Sequence, residues 1–120
     1  MGEIRGKIPA VTGAELKQRR SQMRSAGWQQ GSLEAEKLIQ AQPDLSPDEA
    51  KAAGLRLIAE REPVLRHVGA TDDDLTTWAE SFADAFVGKF ERHITRRAER
   101  ERKRALWRDA RSMLKAEDFA

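Results

Sequence analysis

Few residues of this chain could do covalent chemistry. It has no cysteine and no tyrosine, and its two histidines, His67 and His93, stand far apart in sequence. Neither common glycine-rich phosphate loop occurs, nor does a motif that sets a nucleophile beside a base. General acid–base or nucleophilic catalysis requires such pairs within hydrogen-bond reach, so the residue types point to a non-catalytic protein without a small-molecule substrate. His93 lies in an arginine-rich stretch that repels a divalent cation, and no thiolate is available, which leaves neither a metal-ligand set nor a cofactor motif. His67 follows Arg66 at the end of an apolar turn and reads as a helix-end cation or a partly buried packing residue. The triplet Asp72, Asp73 and Asp74 lacks the alternating ligands and closing glutamate of a calcium loop. It follows Thr71, where carboxylates would face the positive end of a helix dipole.

The chemistry the chain does offer is ionic. Residues 89–115 hold eleven lysines and arginines against four acids, a balance of +7, whereas residues 28–88 carry −7 and residues 1–27 carry +4. The whole chain, at +2, conceals this sorting. Blocks of one sign argue for association with an oppositely charged partner or with another copy of the chain. Eight of the eleven cations are arginines, whose guanidinium groups bind phosphate bidentately and also pair with carboxylates in partly dry interfaces. Arg92, Arg96, Arg97, Arg100, Arg104 and Arg108 are therefore the candidates for contact with a nucleic acid or an acidic protein surface. A solvated helix interleaved with Glu91, Glu99, Glu101 and Asp109 would need no ligand at all. Of the three tryptophans, Trp78 falls in an apolar stripe and reads as packing, while Trp107 borders the basic run and is free to stack or dock.

The elements that must carry these groups are helical. Residues 1–11, with Gly2, Gly6 and Pro9, read as an arm. Thr12 can cap a helix over 13–26 with Gly27 as its stop, and Ser32 can open a second helix that ends at the Pro43 turn. Ser46, Pro47 and Glu49 form a capping box with proline in the first turn, which predicts a helix over 47–62 that Pro63 kinks or ends. Val64, Leu65 and Val68 then make another apolar turn before Gly69. Thr71 and the aspartates start the last helix, where Leu75, Trp78, Ala79, Phe82, Phe86 and Phe90 recur three and four apart on one face. Gly88 inside it reads as a hinge or a close-packing site.

That face continues through His93, Arg97, Arg100 and Arg104, and no large apolar side chain occurs between Ile94 and Leu106. The stretch cannot be core. Glu99 and Lys103 form a favourable i, i+4 pair along it. Leu106, Trp107, Met113 and Leu114, with Ala110, then make a new apolar face that needs a cover: the same chain folded back, a second protomer, or another protein. Two short segments resemble known families. Ala53–Arg61 (AGLRLIAER) resembles the second-helix segment of bacterial ribbon-helix-helix antitoxins, and Thr12–Lys17 (TGAELK) resembles the opening of some helix-turn-helix regulators. Each implies a DNA-binding context, without the strand or the recognition helix that would carry residues over.

A chain of 120 residues with 39% hydrophobic and 35% charged content suits one all-α domain. The expected architecture is a flexible arm (1–11), a small helical bundle (12–94), and a basic, exposed helical extension (95–120) of a long C-terminal helix. The lack of cysteine and of an apolar run near 18–20 residues predicts a soluble, cytoplasmic protein with no membrane partner. The function expected is non-catalytic nucleic-acid or nucleoprotein binding through the arginine-rich helix. The alternative is a small bacterial or phage-like regulatory or inhibitory protein, of mobile-element size, docking on a protein target. Homodimerisation, basic segment to acidic segment, is a third expectation.

Overall fold

The computed structural model describes residues 12–118, with side chains as far as Leu114, so the expected N-terminal arm lies outside the described residues. Three helices follow in chain order: α1 (Gly13–Ala41), α2 (Pro47–His67) and α3 (Asp72–Asp118). No strand occurs among the described residues, and no described helix is long and apolar enough to cross a membrane. The fold is an all-α bundle with one long C-terminal helix. Cross-links climb in step along α1 and α3, from Arg19–Asp74 through Glu36–Lys89 to Pro43–Arg97, so these two helices run parallel. Helix α2 returns between their ends in the opposite sense, with Gly54 against Phe86 and Arg66 against Asp72.

Helix α1 corrects the expectation of two short helices. It runs unbroken for 29 residues from a Thr12 cap, whose hydroxyl accepts from the Glu15 amide at 3.1 Å. Gly27 is no stop. Gly27, Gly31 and Ala35 repeat every four residues, lie on one face and are all buried. A Cβ on Gly27 would run into the Trp78 carbonyl oxygen and lie 3.1 Å from the Phe82 nitrogen. One on Gly31 would lie 3.0 Å from the Phe82 Cα and carbonyl carbon, with the carbonyl oxygen closer still. The propensity cost of each glycine, about 1 kcal/mol, is offset by the approach of two backbones that no side chain separates.

Helix α2 starts as expected at Pro47. The Ser46 hydroxyl accepts from the Glu49 amide at 3.2 Å and donates to the Glu49 carboxylate at 2.8 Å, so the box closes side chain to side chain. Of the two outcomes expected at Pro63, an end is not the one found: the helix continues through it to His67. Ala59, whose carbonyl the proline ring crowds, and Pro63 are both exposed, so the strain falls on the watered side of the helix. Gly69, at φ 102°, closes the end: its amide donates to Arg66 O at 3.1 Å and that of Ala70 to Leu65 O at 3.0 Å, a Schellman arrangement that only a residue tolerant of positive φ completes cheaply.

Helix α3 supplies most of the core. Trp78, Phe82, Phe86 and Phe90 are almost fully buried with Ala35 and Ala50, and Leu38, Leu57, Ile58 and Ile94 pack around them. Ring centroids step by 5.2 Å from Trp78 to Phe82 and 6.1 Å from Phe82 to Phe86. Trp78 Nε1 donates to Gln30 at 3.1 Å, so its polar atom is satisfied inside the core. Arg61 lies 5.8 Å over the Phe82 ring and donates to Glu34 at 2.7 Å, joining all three helices.

Gly88 is not a close-packing site. The helix is continuous through it, and a Cβ there would meet only Arg92 Nη1, at 3.6 Å. Gly88→Ala is therefore expected to stabilise the fold by about 0.5–1 kcal/mol through helix propensity, read as a higher urea midpoint with an unchanged slope.

Candidate functional site

The distal half of α3 is held out from the bundle by contacts at the foot of the extension. The carbonyl of Pro43 stands just past the end of α1. Arg97 Nη1 donates to it at 2.6 Å, and His93 Nε2 lies 2.9 Å from it, so that nitrogen carries the proton. One turn earlier Lys89 pairs with Glu36, and the His93 ring meets Phe90 edge-on at 5.8 Å. These contacts spend the two residues that begin the basic continuation of the core stripe. Arg97 is thus tied to the bundle through one of its nitrogens.

Beyond Arg97 every described side chain, from Ala98 to Leu114, is exposed. The helix continues without a break, so residues 98–114 form a rod of about 25 Å at 1.5 Å per residue. At 100° per residue Arg100, Arg104, Arg108 and Arg111 fall in one row, with Arg96 and Lys103 beside it, and together they cover a face about 140° wide. Glu101 and Glu99 flank that face, about 20° and 40° beyond its edges, and Asp109 lies opposite it together with Arg102. Arg92 lies off the row, about a third of a turn away, in a shallow groove of mixed charge with Gly88, Glu91, Thr95, Arg96 and Glu99.

Among the described residues no ion pair involves any side chain beyond Lys89. The Glu99–Lys103 pair that their spacing predicts is not formed. Instead Arg100, Arg104 and Arg108 stand at i, i+4 spacings, where like charges destabilise a helix by about 0.2–0.5 kcal/mol per pair. Stacked cations without a formed ion pair make this face unlike a solvated helix balanced by its own salt bridges.

Leu106, Trp107, Met113 and Leu114 are 68%, 66%, 67% and 56% exposed. The unbroken helix rules out folding back as the cover for this seam. Leu106 and Met113 turn away from the arginine row, whereas Trp107 and Leu114 border it, Trp107 next to Lys103, Leu106 and Ala110. Trp107 and Leu114 thus fall inside the basic face, between Lys103 and the arginine row, while Leu106 and Met113 lie on the face beside it.

The sequence reading assigned the three aspartates to the helix dipole alone. They are also the opposite anchor of α3: Asp72 pairs with Arg66 at 2.7 Å, Asp73 with Arg20 at 3.2 Å, and Asp74 with Arg19 at 2.6 Å. Asp74 further accepts from the Thr71 amide at 2.9 Å while its own amide donates to Thr71 Oγ1 at 3.2 Å, a reciprocal cap. Arg19 and Arg20, both in the basic N-terminal block, were the available signal, since adjacent arginines on one helix suit adjacent carboxylates on another. These aspartates are structural, and their cations are not free for a ligand. No family model, no curated protein and no solved structure matches the chain.

Proposed function

We propose that the protein binds nucleic acid without catalysis, gripping phosphates with Arg96, Arg100, Arg104 and Arg108 on the distal half of α3. One observation carries this reading: the helix projects about 25 Å past its last bundle contact with Arg100, Lys103, Arg104, Arg108 and Arg111 on one face, Arg102 alone of the rod's cations turned away from it, and no ion pair among the rod's described side chains. Phosphates would relieve the repulsion within the arginine row, and the −7 segment that builds most of the bundle would keep nucleic acid off the rest of the surface. A second reading, docking of the rod on a protein target, draws on the exposed Leu106, Trp107, Met113 and Leu114 seam.

Fluorescence anisotropy of labelled DNA and RNA at about 50 and 200 mM salt separates the two. Each neutralised phosphate contributes about 0.9 to the slope of log K against log salt, so Arg100→Ala, Arg104→Ala and Arg108→Ala together are expected to reduce the slope by roughly 2 to 3. Leu106→Ala with Met113→Ala is expected to leave affinity within about twofold, since neither residue borders the arginine row. All five residues are exposed, so circular dichroism should report an intact fold in both variants. An absence of binding at the lower salt would end the nucleic-acid reading and favour the protein target.

A further inference from the structure

We infer that the nucleic acid is B-form duplex DNA and that the rod of residues 98–114 lies in its major groove; this rests on the nucleic-acid reading above. The dimensions agree. An α-helix with its side chains is about 10–12 Å across, and the B-DNA major groove is about 12 Å wide. The rod's length, about 25 Å, is shorter than the roughly 34 Å of one duplex turn, so a straight helix can lie along the groove before the groove curves away. The major groove of A-form RNA is too deep and narrow to take it.

The width of the basic face makes the same choice. A single row of cations could follow one strand of any nucleic acid, whereas a face of about 140° directs its edges to two walls and its centre to a floor. Lys103 and Arg96 stand at one edge and Arg108 at the other, placed for the phosphates of the two strands. Arg111 occupies the centre, beside Arg100, where its guanidinium can pair with the N7 and O6 of guanine. Single strands are bound by stacking successive bases on several aromatic rings, yet past Phe90 the described residues contain only Trp107 and the His93 ring, which packs on Phe90. The bundle joins the rod at its N-terminal end alone, which keeps its acidic surface clear of the duplex.

The test compares matched duplex DNA, single-stranded DNA and duplex RNA with the full chain by anisotropy, at a salt concentration where binding is partial. Duplex DNA is expected to bind about tenfold or more tightly than either competitor. Methyl green, which occupies the major groove, should displace the protein, and netropsin, which occupies the minor groove, should not. Guanine N7 atoms within the bound site should be protected from dimethyl sulfate, and Arg111→Ala should reduce that protection in a variant whose circular dichroism is unchanged. Equal affinity for the three nucleic acids, tighter binding of RNA, or displacement by netropsin alone would overturn the groove assignment while leaving phosphate binding intact. If none of the three binds, both readings fall together.

Discussion

Gly31→Ala is expected to destabilise the bundle by about 3 kcal/mol or more, although alanine is the better helix former by about 1 kcal/mol. The added methyl would fall against the Phe82 carbonyl group and Cα. These are backbone atoms inside a continuous helix and cannot turn aside as a side-chain tip can. The only relief is to move α1 away from α3, and that separation loosens Ala35, Trp78 and Phe82 together, which adds a cavity term to the steric one. Against a typical total of about 5–15 kcal/mol, the single change consumes much of the stability, and Gly27→Ala with Gly31→Ala should leave no cooperative transition at 37 °C. Urea unfolding followed by circular dichroism gives the answer, with Gly88→Ala as the control in which the same substitution meets open space. A Gly31→Ala midpoint equal to that of the parent would show that the two backbones do not approach this closely.

Asp74→Ala ranks next, at about 2–3 kcal/mol. The carboxylate is 3% exposed and serves the Thr71 amide and the Arg19 guanidinium together. Removing it takes away the acceptor of the Thr71 amide, the reciprocal half of the capping box of α3, worth up to about 1 kcal/mol, and leaves Arg19 without its partner. Losing one member of a buried pair costs about 3–5 kcal/mol when both charges are sealed in; the Arg19 side chain is 43% exposed and can turn to water, so less is lost here. The same residue sets an acid limit. Burial alone would raise the Asp74 pKa and is the largest single influence, yet the Arg19 hydrogen bond, the Thr71 donors and the Arg19 charge outweigh it and hold the group below the ordinary carboxylate value. A depressed folded-state pKa means stability that is fully present above the unfolded value, near 3.9, and is lost as pH falls through the folded value. Stability measured from pH 6 down to pH 2 should fall more steeply for the parent than for Asp74→Asn, and the two curves should converge at the acid end. Parallel curves would mean that Asp74 does not couple folding to protons.

The last helix and its charge sorting were legible because each rests on a strong local pattern. Thr71 with the aspartates marked its start, four aromatics on one face marked the core, and the basic run after Ile94 marked a segment that no core could accept. The aspartates' second role was not legible, because an ion pair across more than fifty residues leaves no local trace. Gly27 and Gly31 misled for a related reason. A glycine near a helical stretch reads as a stop when only its own segment is considered, and its value here depends on Trp78 and Phe82, some fifty residues on. Pro63 failed as a terminator because its strain faces water. The candidate site was half legible: the arginine row came directly from spacing, but the use of Arg97 and His93 to bind Pro43 depends on where α1 happens to end.

The unbroken passage of α3 out of the core changes the energetics of its exposed half. A free peptide the length of residues 98–114 would be marginal as a helix in water, because the first turn fixes several dihedral angles for a single hydrogen bond and nucleates at a cost of about a thousandfold. Here the buried turns around Phe82, Phe86 and Phe90 supply the nucleus, and the distal residues need only propagate it, which arginine, glutamate, alanine and leucine do readily. No glycine or proline interrupts the chain between Gly88 and Asp118. A partner that meets this rod therefore meets a surface already ordered, and does not spend part of its binding free energy on coiling a disordered arginine-rich tail.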